Sequence, residues 1–283
     1  MLLLRFHVLV ASAVLLLSAS CRVQQPEMID VGDHKLAIVR SGKGGPTVVF
    51  ESGGGSNSGI GSGQKVRAQV SKFTSTLAYA RSGRIPSTSS SVPRTLTSVV
   101  QDLHRLLGRA GIQPPYVLVG GSLGGLYVRA FAMMHPKEIA GLVLVDGTHE
   151  RQWLEWDRLQ GLSPGKNVAA AIDAFKAKKD DAGIQEMEGL AEIWATGKLG
   201  ISGELPDVPM IVITSMRPDR PPAFLKNWRG LHDELFSATT HGMHVVTSKN
   251  GHNIMGEEPA LVVDAIRWVV EAARLNQSGK KIP

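Results

Sequence analysis

Apolar residues along this chain recur with two different periods. Short β-branched runs, PTVVFES (46–52), YVLVG (116–120), GLVLVDG (141–147) and PMIVIT (209–214), are apolar at nearly every position, as strands buried on both faces are. Between them the period lengthens to that of a helix. TLTSVVQDLHRLLGRAGI (95–112) sets Val99, Leu103, Leu106 and Leu107 on one stripe and stops at Gly111, while LYVRAFAMMH (126–135) ends at Pro136. PALVVDAIRWVVEAAR (259–274) repeats the stripe through Leu261, Ala265, Ile266, Val269 and Ala273. MIDVGDHKLAIVR (28–40) reads as a hairpin turning at Gly32 and Asp33, and FTSTLAYA (73–80) and MHVVTS (243–248) supply further strands. Strands alternating with helices predict an α/β fold, a mostly parallel sheet with helices on both faces.

The alternation stops between residues 148 and 206, where helical patterns follow one another with no convincing strand. This segment is expected to form a small helical cap over the carboxyl edge of the sheet, dividing the core into parts at 28–147 and 207–275. Three of the five tryptophans, Trp153, Trp156 and Trp194, lie in the cap. Two roles are open to them: facing a substrate, or fastening the cap to the sheet.

The first twenty-one residues, MLLLRFHVLVASAVLLLSASC, combine Arg5, an apolar stretch from Val8 to Leu17 and small residues before Cys21. This is the pattern of an export signal, and the stretch is short of the about 20 residues a bilayer span requires. Cys21 is the single cysteine of the chain, so no intrachain disulfide can form. Its place at the end of the signal resembles the lipobox of bacterial lipoproteins, although Ser18 stands where leucine is preferred. The expectation is an exported protein, either attached to a membrane through a lipidated Cys21 or released by ordinary signal cleavage.

Charge adds little to this picture. The net charge is +6, but charged residues make up only 20% of the chain, and the densest cluster, KAKKDD (176–181), carries its own aspartates. A solvated helix face is expected there, and no nucleic-acid partner.

The chemistry is concentrated at VLVGGSLGGLYVR (117–129). Gly120-x-Ser122-x-Gly124 is a weak string by itself, but here a buried strand runs into it and a helix follows, as a strand–nucleophile–helix elbow requires. Such a turn strains the serine, and the residues two before and two after it approach too closely for side chains, hence Gly120 and Gly124. A serine hydroxyl needs a base, and NGHNIMGEEP (250–259) places His252 in a loop between the last strand and the last helix, at the same sheet edge. His104 and His135 have duller settings, and the spacing of His241 and His244 lacks the companions of a metal motif, so no metal is expected.

Taken in order, LVGGSLGGLYVRAF, GLVLVDGTHE and NGHNIMGEEPALVVDAI resemble the α/β-hydrolase superfamily, in particular its bacterial lipase and esterase-like branch, over about residues 28 to 275 with the cap excepted. The resemblance implies an eight-stranded, mostly parallel sheet, a Ser–acid–His triad in that chain order, no cofactor, and hydrolysis of a small-molecule acyl ester through an acyl-enzyme. Ser122 would be the nucleophile and His252 the base. Asp219 and Asp146 both remain open as the orienting acid; Asp219 is favoured because it follows the strand PMIVIT, although it stands ten residues after Pro209 where relatives have about nine. Ser52-Gly53-Gly54 occupies the place of the His-Gly-x common in relatives, so Gly54 and Leu123 are the expected oxyanion-hole amides.

Two other departures stand out. Gly121 replaces a frequent histidine, and Ala80 replaces an aspartate, which leaves a structural salt bridge near Arg81 expected to be missing. An epoxide hydrolase or dehalogenase would want aspartate at position 122. A haloperoxidase-like activity on the same triad, and a binding protein without turnover, are the remaining alternatives.

Overall fold

The computed structural model describes residues 25–55, 59–61 and 63–280; the segment expected to be an export signal and Cys21 lie outside them. The strands are β1 (Glu27–Asp30), β2 (Lys35–Ser41), β3 (Thr47–Glu51), β4 (Thr76–Tyr79), β5 (Tyr116–Gly121), β6 (Ile139–Val145), β7 (Met210–Ser215) and β8 (Gly242–Thr247). They form one eight-stranded sheet in the order β1-β2-β4-β3-β5-β6-β7-β8. β2 runs antiparallel to both its neighbours, and every other pairing is parallel. Burial follows position in the sheet. Every residue of the inner strand β6 is buried, whereas the edge strand β1 is almost wholly exposed.

The helices that return the chain between parallel strands cover both faces. The helices α1 (Gln64–Val70), α2 (Leu96–Arg109) and α3 (Leu123–Met134) belong to the first half. α2 starts on a side-chain cap, the Ser98 amide donating to Thr95 Oγ1 at 3.2 Å, and its Leu103 and Leu107 pack with Leu126 and Phe131 of α3 against one face. Beyond β6 come α4 (Gln152–Leu159), α5 (Lys166–Ala177), α6 (Asp181–Gly189) and α7 (Ala191–Thr196), the helical insertion. Its Val168, Met187, Leu190 and Trp194 join the same apolar cluster as α2 and α3, so the cap is continuous with the core.

Helix α8 (Pro222–Phe236) follows β7. It is not among the elements expected from the sequence, although Trp228, Leu231 and Leu235 repeat at helical spacing behind a proline at the first turn, which is a helix signal. The chain closes with the short α9 (Ile254–Glu257) and the long α10 (Pro259–Gln277). Val66 and Val70 of α1 and Ile266 and Val269 of α10 cover the opposite face. No helix among the described residues is long and apolar enough to cross a membrane.

Candidate active site

Parallel strands that share a direction deliver their carboxyl ends to one edge: β3 ends there in Glu51 and β7 in Ser215, while Ser122 and Asp146 directly follow β5 and β6. β5 runs straight into α3, and the residue at the junction, Ser122, has φ 51° and ψ −125°, a backbone conformation that costs energy for any side chain. The glycines make it possible. A Cβ on Gly120 would lie 2.5 Å from the Gly124 carbonyl oxygen, and one on Gly124 would lie 2.4 Å from that of Glu51. The turn is then fixed from the side, the Ser122 amide donating to Val145 at 3.1 Å and the Ser122 carbonyl accepting from Thr148 at 2.8 Å. Gly121 faces Met255, whose Cε fills the space a side chain would take, 3.2 Å from the position of a Cβ.

His252 reaches this serine from the loop after β8, its Nε2 standing 2.9 Å from Ser122 Oγ. Its Nδ1 lies 2.6 Å from Asp146 Oδ2. A carboxylate only accepts, so Nδ1 carries the proton and Nε2 offers its lone pair to the serine hydroxyl. Asp146 follows β6, is 1% exposed, and has φ 46°. Its second oxygen, Oδ1, accepts from the Ser215 amide and from Trp228 Nε1, both at 2.9 Å. Burial pushes the Asp146 carboxyl up, but the hydrogen bond and charge of His252 and the Ser215 amide outweigh it and hold the group below the usual aspartate value. Next to it the Gly147 carbonyl accepts from His232 Nε2 at 2.9 Å; burial brings His232 down to about 4, so this imidazole is a neutral brace.

Asp219, favoured by spacing as the acid, is not in this chain of contacts. It lies on the loop between β7 and α8, 44% exposed at its side chain, and accepts from Arg217 Nε at 2.6 Å. The proline-bounded loop closes on itself there, the Asp219 amide donating to the Arg217 carbonyl at 2.8 Å, and the carboxylate is spent on its own neighbour. The two aspartates were separated in sequence only by spacing, which says nothing of where a side chain is held.

The glycine loop after β3 stands beside the serine. A Cβ on Gly53 would come within 3.1 Å of Ser122 Cβ, and Gly54 lies against the Leu123 side chain. Arg81, fully buried, holds the loop's outer side: Nη1 donates to the Ser52 carbonyl at 2.6 Å and Nη2 to the Gly53 carbonyl at 2.8 Å. In a trans peptide the N–H points opposite to the C=O, so fixing the Gly53 carbonyl on Arg81 turns the Gly54 amide the other way. The Leu123 amide, in the first turn of α3, has no partner within its helix.

The salt bridge expected to be missing near Arg81 is present with other partners. Glu51 Oε1 accepts from Arg81 Nη1 at 2.5 Å, and Glu186 Oε1, brought by α6 of the cap, accepts from Nε at 2.7 Å. Arg84 bridges Glu186 and Asp180 at 2.8 and 2.6 Å, extending the buried pairs into the cap. Arg81 therefore draws its countercharge from Glu51 and Glu186 and needs none at position 80.

Over the serine and histidine lies a cavity of about 270 Å³, floored by Ser122, His252, Gly54 and Leu123. Its walls are aromatic: Trp153, Trp156 and Trp194 of the cap with Trp228 of α8. Trp194 is only 2% exposed and also belongs to the core cluster, so one cap tryptophan meets both of the roles left open by the sequence. Trp156 meets Trp153 edge-on, ring centroids 5.1 Å apart, and Phe224 at 4.8 Å.

The group of histidines and acids nearest to a metal-like set, among the described residues, is His104, His135 and Glu138. It sits before β6, at the sheet edge remote from Ser122. The two imidazoles are stacked, 4.0 Å apart and 10° from parallel, so their in-plane lone pairs run side by side and do not converge on one ion.

Comparison with known proteins agrees with this architecture. Residues 71–191 match the family model described as the alpha/beta hydrolase fold. The chain has the α/β-hydrolase fold. Over 232 residues it is 25% identical to the uncharacterized protein YqjL of Bacillus subtilis (strain 168), covering 80% of this chain and 84% of that one. A thermophilic esterase from Thermogutta terrifontis superposes with a TM-score of 0.55 at 21% identity, over 88% of this chain and 99% of the other. The carboxylesterase CesB of Bacillus subtilis does so with a TM-score of 0.60 at 14% identity, over 87% and 91%.

Proposed function

We propose that this α/β-hydrolase is a serine hydrolase that cleaves a small carboxylic ester. The observation that carries the reading is the hydrogen-bonded series Ser122–His252–Asp146 on the floor of an aromatic cavity. His252 Nε2 takes the Ser122 proton as Oγ attacks the ester carbonyl, and Asp146 holds the tautomer and stabilises the imidazolium. The carbonyl oxygen, now an oxyanion, is received by the Gly54 and Leu123 amides, each such donor being worth about 3 kcal/mol. As the intermediate collapses, the imidazolium gives its proton to the leaving alcohol and the acyl group stays on Ser122. Water then repeats the sequence and releases the acid. Relatives of similar fold that are an esterase and a carboxylesterase support the choice of bond.

The test is covalent. A fluorophosphonate probe should label Ser122 in the protein lacking residues 1–21, and short p-nitrophenyl esters should be hydrolysed. Ser122→Ala should abolish labelling and lower the rate by at least ~10³-fold. A protein that neither labels nor turns over would be a binding protein on this fold; haloperoxidase-like chemistry would show as peracid formation from a carboxylic acid and hydrogen peroxide that exceeds ester hydrolysis. The export reading completes the proposal: cells fed a labelled fatty acid should label the wild type and not Cys21→Ser, and equal signal in both would remove lipidation.

A further inference from the structure

Two charged side chains line the cavity, Glu186 and Arg220, and they are not equivalent. Glu186 is 1% exposed and already holds Arg81 and Arg84, so its charge is answered from behind the wall. Arg220 is half-buried, and among the described residues no carboxylate stands within ion-pair distance of it. Its neighbour Asp219 is taken by Arg217. What Arg220 does meet is the ring of Phe224, its guanidinium carbon 4.8 Å from the centroid, and Phe224 in turn packs on Trp156 and Trp228 of the cavity wall. The cation is thus set against the same aromatic wall that encloses the substrate space, with its donors left over.

Its origin in the fold explains why it is free for this. Arg220 belongs to the loop after β7, beside Asp219, the acid that spacing favours. With Asp146 holding His252 from the end of β6, that loop has no duty to the imidazole. Of the other lining groups, Glu186 is answered by two arginines and His252 offers a free lone pair to Ser122, so Arg220 alone carries an uncompensated charge among the described lining residues. A guanidinium is planar, weakly hydrated and forked, which suits a carboxylate held by two parallel hydrogen bonds. A cavity of about 150 Å³ admits benzene, so the about 270 Å³ here accepts one ring with a short chain.

We propose that the substrate is an anionic ester, an apolar or aromatic body carrying a carboxylate that Arg220 binds at the cavity wall. The inference rests on reading this cavity as the substrate site, but its test does not need turnover. Four of the five tryptophans line the cavity, so their fluorescence reports occupancy. Phenylacetate and its neutral isostere phenylacetamide are titrated into Ser122→Ala, and into the same protein carrying Arg220→Gln or Arg220→Lys.

Phenylacetate should bind at least about tenfold tighter than phenylacetamide in Ser122→Ala. That preference should weaken with added salt, survive in part in Arg220→Lys, and vanish in Arg220→Gln while phenylacetamide still binds. Equal affinities before the arginine is changed, a preference that persists in Arg220→Gln, or no binding of either ligand would each overturn the proposal. Failure of the hydrolase reading is seen separately, as absence of fluorophosphonate labelling at Ser122 in the otherwise unaltered protein.

Discussion

The strand that carries Ser122 lies between two strands that each lead into a buried carboxylate. On one side β3 ends in Glu51, opposite Gly120 in the register; on the other β6 leads into Asp146. Both carboxylates are 1% exposed. Their partners differ. Glu51 accepts from the Tyr79 hydroxyl and from the guanidinium of Arg81, a permanent charge that also grips two carbonyls of the glycine loop. Asp146 accepts from an amide, an indole and an imidazole, and only the last of these touches the serine. Burial dominates at Glu51 and raises its carboxyl, whereas at Asp146 the donors win and the carboxyl stays low. Position at the sheet edge is therefore common to both; the donor set decides which one meets His252 and which one meets the arginine that holds a loop.

The largest break in this comparison is Asp146→Asn. The amide cannot stabilise the imidazolium and favours the wrong tautomer, so kcat on a p-nitrophenyl ester should fall by up to ~10⁴-fold. Linkage gives a second reading of the same variant. Because the folded Asp146 carboxyl lies below its ordinary value of 3.8, its contribution to stability is present above that pH and lost as pH falls through the lower folded value. Urea unfolding of wild type and Asp146→Asn should thus diverge most near neutrality and converge in acid. Retention of kcat would remove Asp146 from the triad.

On the Glu51 side the matching break is Arg81→Met. It strands two buried carboxylates, Glu51 and Glu186, and breaking such a pair costs about 3–5 kcal/mol. It also releases the Ser52 and Gly53 carbonyls, so the Gly54 amide loses its fixed direction and kcat should fall about 10²-fold with KM little changed. Arg81→Lys, which keeps the charge with fewer directed donors, should fold better and lie between. A melting temperature that drops while kcat holds would make Arg81 a purely structural residue.

Much of this edge could be read from the chain. Ser122 and His252 were legible because each sits where a strand gives way to a helix or loop, and Gly120 and Gly124 mark the elbow whatever the rest of the fold does. The acid was harder. Asp146 and Asp219 both follow apolar runs, and what separates them is tertiary: Trp228 comes from a helix 82 residues away, and the Ser215 amide from another strand. The partners of Arg81 are not legible at all: Glu186 lies 105 residues further on, across the cap, beyond any local pattern.

A smaller effect tests the indole alone. Trp228→Phe keeps the aromatic wall and removes one of the donors to Asp146, a hydrogen bond to a charged group worth about 1.5–3 kcal/mol. Part of that is recovered by the remaining donors, and kcat should fall about tenfold. An unchanged kcat would mean that Ser215 and His252 suffice to hold the carboxylate.

The smallest effect belongs to the residue that spacing favoured. Asp219 is 44% exposed, and its partner Arg217 is equally so and lies also 3.6 Å from Glu257. Exposed pairs of this kind contribute about 0–1 kcal/mol because water screens them and both side chains must be ordered. Asp219→Asn should therefore leave kcat within about twofold of wild type and the melting temperature nearly unmoved. The variant is still informative, because Asp219 is the nearest carboxylate in sequence to Arg220. With a negative charge removed from the neighbouring position, repulsion of an anion at Arg220 falls, so anionic ligands should bind slightly tighter while neutral ones do not change. A loss in kcat comparable to that of Asp146→Asn, measured in the same preparation, would restore Asp219 to the triad and show that the loop after β7 closes onto His252 during turnover.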